Sequence, residues 1–370
     1  MTIKNSLPIR ILHVVTYMGR GGLETMIMNY YRHIDRNKVQ FDFLTHRDFK
    51  ADYDGEIESF GGKIFHLPKL VPWSRKYKKA LNVFLAEHPE YKIVHVHQDC
   101  LSSVILKAAK KNNLPVRIAH SHSSNQDKNL KYLIKLYYKR YIAKYATHLF
   151  ACGKDAGDWM FGGAPYEIIN NAIDTKKYEY NPEIRSKMRK ELGINDNDFV
   201  IGHVGRFNSV KNHTFLLDIF NEFKKLQKNS VLLLVGDGEL RSSIEKKAKE
   251  LNITNDVIFT GVRSDVPDLM QAMDCFVFPS LYEGLPVTLI EAQSSGLPCI
   301  VSSEVPSDCD KTDLVEHIPL SDSVNVWVKH ILNRKNKERE KYSEAIANLG
   351  YDININAKKL ENFYIENWKG

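Results

Sequence analysis

The chemically richest stretch of the chain is residues 279–292, PSLYEGLPVTLIEA. Glu283 and Gly284 form a predicted turn after a strand, and Pro286 suits the first turn of the helix that follows. The exposed amide N–H groups at the start of that helix would attract phosphate oxygens. Glu291, further along the helix, can accept hydrogen bonds from a ribose diol, and Glu283 can accept them from a sugar hydroxyl. This spacing predicts a site for an anionic ligand that contains both phosphate and sugar groups.

A second candidate group follows an earlier strand, in the loop GRFNSVKN at residues 205–212. Arg206 and Lys211 can converge on a diphosphate, the arginine through its planar fork and the lysine as a point charge. A solvated loop is the alternative. Gly21 and Gly22 open a helix and allow backbone amides to approach an anion, although a tight turn also explains them. A fourth loop, GDGE at residues 236–239, is predicted to keep side chains out of a cleft.

These loops all follow predicted strands, and the strands alternate with helical patterns in two successive series. The predicted strands are Ile9–Thr16, Val39–Thr45, Lys63–Leu67, Lys92–His97, Val116–His120, Thr147–Cys152, Glu167–Asn170, Phe199–Gly205, Val231–Gly236, Val257–Thr260, Cys275–Pro279 and Pro298–Ser302. Such alternation produces parallel sheets covered on both faces, in which ligands bind beyond the carboxyl ends of the strands. We therefore predict an α/β fold of two tandem doubly wound, Rossmann-like domains.

The composition fits two globular domains in a chain of 370 residues with 43% hydrophobic and 26% charged residues. The net charge of +7 divides unequally, with +11 over residues 1–170 and −4 over residues 171–370. A basic first half indicates an anionic partner, but no nucleic-acid recognition motif accompanies it. The five cysteines lie far apart without a C-x-x-C pair, which favours reduced thiols in a cytoplasm. We expect neither a signal peptide nor a transmembrane segment.

In order, these motifs resemble those of the retaining glycosyltransferases of family 4, which have the GT-B fold. The resemblance covers nearly the whole chain and is nearest to bacterial capsular and exopolysaccharide glycosyltransferases. The Glu283-x7-Glu291 pair is its most specific element, and the segment at residues 168–174, IINNAID, resembles the family's interdomain segment. The family usually has Gly where this chain has Ala172. The implied domains are residues 1–170 for the acceptor and 171–352 for the donor, facing a cleft, with a tail helix at about 353–370 crossing back to the first domain.

The resemblance also implies roles for individual residues. Arg206 and Lys211 bind the donor diphosphate and stabilise it as it leaves, Glu291 holds the ribose, and Glu283 holds the donor sugar. The remaining residues on the donor side are Gly22, Val262, Gly284, Leu285, Pro286, Val287 and Thr288. Gly22 would pack against the phosphates and Val262 would lie near the base. Transfer with retention, no covalent enzyme intermediate, no metal and no cofactor are implied, with a UDP-sugar as donor.

On the acceptor side, the family places a histidine in the loop after the strand at residues 116–120. His122 fits that spacing better, and His120 is the alternative because it can end the strand. The features that favour a metal are three Asp-x-Asp triplets, at residues 52–54, 196–198 and 308–310. Because these triplets lie in polar connections where Asp is an ordinary turn residue, we expect no metal.

A basic, tyrosine-rich segment runs from Lys128 to Lys144, and no acidic residue occurs between Lys128 and Lys154. It predicts an amphipathic helix lying on anionic lipid, and a second cluster of Trp73 and nearby lysines could join it. A solvated helix whose apolar side packs in the core is the alternative. The leading hypothesis is therefore a glycosyltransferase at the cytoplasmic membrane face, acting on a lipid-linked or polysaccharide acceptor. A sugar-nucleotide 2-epimerase and a non-catalytic sugar-nucleotide-binding membrane assembly partner are alternatives.

Overall fold

A computed structural model describes residues 7–123, 132–335 and 338–368 of the chain. Its contacts divide the protein into two units. Unit 1 comprises residues 1–172 together with 353–370, and unit 2 comprises residues 173–352. The first boundary lies two residues beyond the one that the sequence predicted, and the C-terminal segment belongs to unit 1.

Unit 1 is built on a seven-stranded parallel sheet with the strand order β3-β2-β1-β4-β5-β6-β7. Its strands are β1 (Ile9–Val14), β2 (Val39–Thr45), β3 (Ile64–His66), β4 (Ile93–Val96), β5 (Val116–Ser121), β6 (His148–Ala151) and β7 (Glu167–Ile168). The chain turns outward in both directions from β1 and β4, so the sheet is doubly wound as predicted.

The helices of unit 1 cover both faces of this sheet. They are α1 (Gly22–His33), α2 (Asp54–Ser59), α3 (Arg75–Glu87), α4 (Ser102–Lys111), α5 (Tyr132–Lys139), α6 (Ile142–Tyr145), α7 (Lys154–Phe161) and the C-terminal α16 (Ile353–Trp368). Ile11 and Phe41 point to the face covered by α1 and α16, whereas Leu12 and Val94 point to the opposite face. Both faces are apolar because side chains alternate along a strand and parallel sheets are buried on both sides.

Unit 2 repeats this architecture with a six-stranded parallel sheet in the order β10-β9-β8-β11-β12-β13. Its strands are β8 (Phe199–Val204), β9 (Ser230–Val235), β10 (Val257–Gly261), β11 (Cys275–Phe278), β12 (Cys299–Ser302) and β13 (Val315–Ile318). Its helices are α8 (Thr175–Tyr178), α9 (Pro182–Glu191), α10 (His213–Leu226), α11 (Arg241–Glu250), α12 (Val266–Ala272), α13 (Val287–Ser294), α14 (Val324–Asn333) and α15 (Ser343–Ile346). The sequence analysis missed β13, whose segment VEHI contains two polar residues and lies at the sheet edge.

The C-terminal helix α16 packs on α1 and on the sheet of unit 1. Ala357, Leu360 and Tyr364 are buried there at helical spacing, as the predicted apolar face requires. Among the described residues, no helix has the length and apolar character needed to cross a bilayer.

The predicted continuous helix from Lys128 to Lys144 is wrong in its extent. Within the described residues the chain forms two short helices, α5 and α6, separated at Arg140 and Tyr141. The first part of the prediction, residues 128–131, lies outside the described residues. The two helices differ in packing, because Ile142 in α6 is buried in the core whereas α5 contains no fully buried side chain.

Candidate active site

The candidate donor site of unit 2 is formed by the loops that follow β8 and β11, two adjacent parallel strands. Main-chain and amide contacts tie these loops together. The Leu281 N–H donates to the Val210 carbonyl at 2.8 Å, and Asn212 Nδ2 donates to the Pro279 carbonyl at 3.1 Å. The two loops that the sequence marked separately therefore form one surface at the carboxyl edge of the sheet.

Lys211 and Glu283 meet on this surface. Lys211 Nζ lies 2.7 Å from Glu283 Oε1, and the two side chains are only 18% and 11% exposed. The ammonium group also lies 4.5 Å from the centre of the Phe278 ring. A partly desolvated cation held by a carboxylate and an aromatic face is well placed to interact with an anionic ligand, because screening by water is reduced there.

The turn that carries Lys211 is fixed by asparagines. The Lys211 N–H donates to Asn208 Oδ1 at 3.1 Å, and Asn212 adopts a left-handed conformation with φ of +53° just before α10 begins. Asparagine tolerates that conformation better than most residues. The loop therefore directs Lys211 toward β11 by local chemistry that the sequence contains.

Arg206, the other predicted cation, pairs with Glu239, whereas Lys211 pairs with Glu283. The side chain of Arg206 is 61% exposed and its guanidinium lies 3.4 Å from Glu239, itself 57% exposed. An ion pair in solvent contributes little to stability, so the guanidinium keeps its freedom to rotate. Arg206 stays a predicted diphosphate ligand.

Two glycines let neighbouring loops approach closely. A Cβ on Gly236, whose φ is +136°, would lie 2.1 Å from the Gly205 carbonyl oxygen. A Cβ on Gly238 would lie 2.5 Å from the Phe207 carbonyl oxygen. These positions accept no side chain because the backbone of the loop after β8 already occupies the space.

Helix α13 begins at Val287, and Pro286 stands just before it with extended backbone. The predicted place of Pro286 in the first helical turn is therefore wrong by one residue. The amide N–H groups of Val287 and Thr288 open the helix, and those of a first turn have no partner further back within the helix. Gly284 and Leu285 form the bend that leads into it.

Glu291 is buried in the interior of unit 2, with 8% of its surface exposed. Burial raises its pKa to about 7, and a hydrogen bond with Tyr178 opposes this increase. Tyr178 is buried as well, and burial raises its pKa above the ordinary range. Because a buried carboxyl group needs hydrogen-bond donors, Glu291 can recognise a hydroxyl-rich ligand that reaches it.

Val262 follows β10 at the same edge of the sheet and is 52% exposed. In unit 1, Gly22 is the first residue of α1, and a Cβ on it would meet no atom within 4 Å. The space beside Gly22 is open, as a close ligand would require. The roles of Val262 and Gly22 stay predictions.

The predicted acceptor-side histidines belong to a larger group on one face of the unit 1 sheet. His120 lies within β5, and His122 follows it at the carboxyl end. His97 Nδ1 lies 2.9 Å from His122 Nε2, and His95 Nε2 lies 3.1 Å from His120 Nδ1. Burial lowers the pKa of His122 to about 3 and holds that of His120 well below its usual range, so both rings are neutral at pH 7.

Some site residues escaped the sequence analysis. Tyr178 ends the short helix α8 of unit 2, and no sequence pattern connected it with Glu291. Phe278 was seen as a strand residue and Asn212 as part of a loop, although an asparagine just before a helix is a usable signal for a special turn. Contacts between distant segments define their roles, so spacing alone could not reveal them.

The Asp-x-Asp triplets occupy turns and caps. Asp54 accepts a hydrogen bond from the Ala51 N–H, Asp198 accepts one from the Asn195 N–H, and Asp310 lies 3.0 Å from His317. One carboxylate of each triplet therefore has a local structural role. Independence from a metal stays a prediction.

Two family descriptions match the chain: Glycosyltransferase Family 4 over residues 20–177 and Glycosyl transferases group 1 over residues 184–310. The glycosyltransferase EpsF of Bacillus subtilis (strain 168) is 39% identical over 97% of each chain. UDP-Gal:alpha-D-GlcNAc-diphosphoundecaprenol alpha-1,3-galactosyltransferase of Escherichia coli is 29% identical over 76% of this chain and 77% of its own. Among solved structures, Anabaena Alr3699/HepE in complex with UDP superposes with a TM-score of 0.79 at 18% identity, over 96% of this chain and all (100%) of that one.

The first matched segment ends five residues beyond unit 1, at residue 177 against 172, and the second lies within unit 2. The relative with 39% identity spans both units. The sheets, the strand order and the loops at the carboxyl edges agree with that assignment. This chain belongs to the family-4 glycosyltransferases, and its two Rossmann-like units are those of the GT-B fold.

Proposed function

We propose that this glycosyltransferase moves a sugar from a UDP-sugar to a lipid-linked or polysaccharide acceptor, with retention of the anomeric configuration and without a metal, in bacterial surface polysaccharide synthesis. One observation carries the proposal: Lys211, Glu283 and the start of α13 lie at one sheet edge, with Glu291 buried in the same helix. This arrangement presents a cation, amide donors and hydroxyl acceptors to a single ligand.

The departing nucleoside diphosphate is the group that this arrangement would stabilise. Negative charge grows on the diphosphate as its bond to the sugar breaks. Lys211, Arg206 and the first amide groups of α13 would offset that charge with fixed donors, the role that a divalent ion performs in other enzymes. Attack from the face that the leaving group vacates would retain the configuration without a covalent enzyme intermediate.

The donor's sugars supply hydroxyl groups to the two glutamates. We infer that Glu291 accepts from the ribose and that Glu283 exchanges part of its contact with Lys211 for a hydroxyl of the donor sugar. Uridine is supported by two similar proteins: the name of the E. coli enzyme begins with UDP-Gal, and Anabaena HepE was crystallised with UDP. Val262 would lie beside the base.

The acceptor belongs to unit 1. The E. coli relative is named for an acceptor linked to diphosphoundecaprenol, which supports a lipid-linked acceptor for this chain. We infer that His122, at the carboxyl end of β5, hydrogen-bonds a sugar hydroxyl, and that His120 contributes through its neighbours.

Helix α5 is the part of unit 1 that we propose to rest on anionic lipid. Leu133 is 74% exposed and Tyr137 is 50% exposed, so the apolar side of this helix does not pack fully in the core. Trp73, 63% exposed, lies just before α3, whose first turns carry exposed lysines. Apolar and aromatic side chains beside cations suit the interface of an anionic leaflet, at about 1 kcal/mol for each basic residue near the surface.

A cytoplasmic location, peripheral on the inner membrane face, completes the proposal. All five cysteines are free and buried, which suits a reducing compartment. This supports the location without depending on the membrane contact.

The enzymatic test combines a donor screen with product analysis. Purified protein is incubated with UDP-sugars, first alone and then with diphosphate-linked acceptors, and the anomeric configuration of the product is read by NMR. We expect acceptor-dependent transfer with retention, and no increase in turnover on adding Mg²⁺ or Mn²⁺. Isomerised donor sugar without acceptor would identify an epimerase and reject the proposal.

The membrane test is co-sedimentation with vesicles that contain phosphatidylglycerol. Binding should weaken at high salt and fall in the double variant L133S/Y137S, because the helix loses its apolar anchor. Leu226→Ser, at an equally exposed position of unit 2 (68%), is the control and should bind like the parent protein. Equal binding to neutral and anionic vesicles would contradict the proposal.

A further inference from the structure

Five histidines lie together on the face of the unit 1 sheet that α1 and α16 cover. His13 comes from β1, His95 and His97 from β4 and its end, and His120 and His122 from β5 and its end. Residues two apart on a strand point to the same face, and adjacent parallel strands bring them side by side. The ring centres of His97, His120 and His122 lie 4.1 to 5.3 Å apart.

The hydrogen bonds of this group leave some ring nitrogens without a partner. His13 Nδ1 pairs with His97 Nε2 at 3.1 Å, and His95 Nε2 pairs with His120 Nδ1 at 3.1 Å. His120 Nε2 is buried and has no hydrogen-bond partner within the described part of the chain, and His120 itself is 2% exposed. A buried polar atom without a partner is costly, which indicates a ligand that the protein residues do not supply.

We propose that His97, His120 and His122 bind one divalent transition-metal ion, with Zn²⁺ the leading candidate. One nitrogen from each ring lies within 4.8 Å of one nitrogen of each of the others. Tetrahedral ligands at about 2.0–2.1 Å from zinc are roughly 3.3 Å apart. His97 Nδ1 and His122 Nε2 are 2.9 Å apart, so small ring rotations would admit the ion.

The other histidines determine which nitrogens coordinate. His97 Nε2 is engaged by His13, and His120 Nδ1 is engaged by His95, which leaves His97 Nδ1 and His120 Nε2 for the metal. His95 Nδ1 continues to the Tyr364 hydroxyl at 2.7 Å. In this arrangement His97 donates the N–H of its non-coordinating nitrogen to His13, and His120 donates its own to His95. Metal-binding histidines are usually oriented in this way.

Imidazole nitrogens favour zinc, copper and nickel over magnesium or calcium. His122, at the end of β5, is half-buried, whereas His97 and His120 are buried, so it is the most exposed of the three proposed ligands. Three nitrogen ligands leave a fourth position for water. The proposed zinc ligands all belong to unit 1, whereas the donor-diphosphate ligands proposed above belong to unit 2 and use no metal.

The test measures zinc binding by the full chain, prepared without a polyhistidine tag and stripped with a chelator. Competition with a chromogenic chelator should give one tight Zn²⁺ per chain, and Co²⁺ should give the intense visible spectrum of a four-coordinate site. His122→Gln should weaken Zn²⁺ binding by at least about tenfold, since a ligand is lost. This substitution is at the half-buried member of the group, so folding should be retained.

His148→Gln is the matched control, a half-buried histidine of the same unit outside the group, and should bind zinc like the parent. His120→Gln should also weaken binding, with near-UV circular dichroism to verify folding. Absence of stoichiometric binding, or equal affinity in the parent and His122→Gln, would overturn the proposal. Neither readout uses sugar transfer, so failure here and failure of the proposed function are distinguishable.

Discussion

The first six strands of unit 1 have the same order as the six strands of unit 2, but the side chains at the carboxyl edges of the two sheets differ in charge. Unit 2 presents charged side chains there, Lys211 with Glu283 and the buried Glu291. Unit 1 presents neutral imidazoles that pair with one another. Topology therefore decides where on such a sheet a ligand binds, whereas the residues after each strand decide which kind of ligand binds there.

A difference in loop packing accompanies the difference in charge. In unit 2 the loops after β8 and β9 touch through glycine backbones, and the space at Gly236 is already filled. In unit 1 the space beside Gly22 is open. The loops of unit 2 are therefore packed against each other without a ligand, whereas the first turn of α1 in unit 1 leaves room for a ligand to approach.

The largest expected effect concerns the charge in unit 2. Lys211→Ala should lower turnover by roughly 10²–10³-fold, because a fixed donor to the leaving group is lost. The melting temperature should fall by only a few degrees. Steady-state kinetics and thermal unfolding measure the two quantities.

Lys225→Ala is the control for that variant, since Lys225 forms an exposed ion pair on α10 with Glu222. It should leave turnover and stability nearly unchanged. Unchanged turnover in Lys211→Ala would remove the charge-stabilisation mechanism and, with it, the contrast between the units.

The next effect concerns the two glycines. Gly236→Ala should lower the free energy of unfolding by about 1–3 kcal/mol, because its backbone conformation and the nearby Gly205 carbonyl exclude a side chain. Gly22→Ala should change stability by less than about 0.5 kcal/mol and should lower turnover if phosphates approach that residue. Denaturant unfolding and kinetics test both, and equal destabilisation would contradict the contrast in packing.

The affinity for UDP should depend on the ionisation of Glu291. With a pKa of about 7, Glu291 is mostly protonated at pH 6 and mostly ionised at pH 8. Ribose hydroxyls donate more strongly to the carboxylate, so affinity should increase up to about tenfold over this interval. Titration calorimetry at several pH values measures the affinity for UDP. In Glu291→Gln the part of the pH dependence that comes from Glu291 should be absent, and the part that comes from ionisation of the phosphates should remain.

The same pKa makes a prediction for stability of the opposite sign. Because the folded-state pKa is raised, the stabilising contribution of protonated Glu291 is present below about pH 4.5 and is lost as the pH rises through about 7. Glu291→Gln should therefore gain stability relative to the parent as the pH increases from 5 to 8. A constant difference between the two proteins would show that the carboxyl group titrates normally.

The last prediction concerns the histidines of unit 1. Tyr364→Phe removes the hydroxyl that lies 2.7 Å from His95 Nδ1 and leaves that nitrogen buried without a partner. We expect a loss of about 1–2 kcal/mol in unfolding free energy. Phe363→Tyr, at a partly buried neighbouring position, adds a hydroxyl without removing that bond and is the control. No loss in Tyr364→Phe would mean that the histidine group does not depend on α16.

Much of the fold followed from the sequence because its signals are local. The strands from Ile9 to Ser302 were predicted to within about two residues at each end, since apolar runs separated by helical periodicity are strong patterns. The edge strand Val315–Ile318 was missed because its apolar and polar residues are mixed. The basic segment from Lys128 to Lys144 was predicted as one helix, whereas the structure, which describes it from residue 132, has the two short helices α5 and α6, with Ile142 of α6 buried.

By itself, the sequence determined the two doubly wound sheets, the glycosyltransferase family and the loops that carry Arg206, Lys211, Glu283 and Glu291, because these depend on residue types at short spacing. Only the tertiary structure decided that Lys211 meets Glu283, that Tyr178 reaches Glu291 and that the histidines form one group. Those contacts join residues far apart in the chain, and burial sets their charge. Spacing along a sequence contains neither quantity.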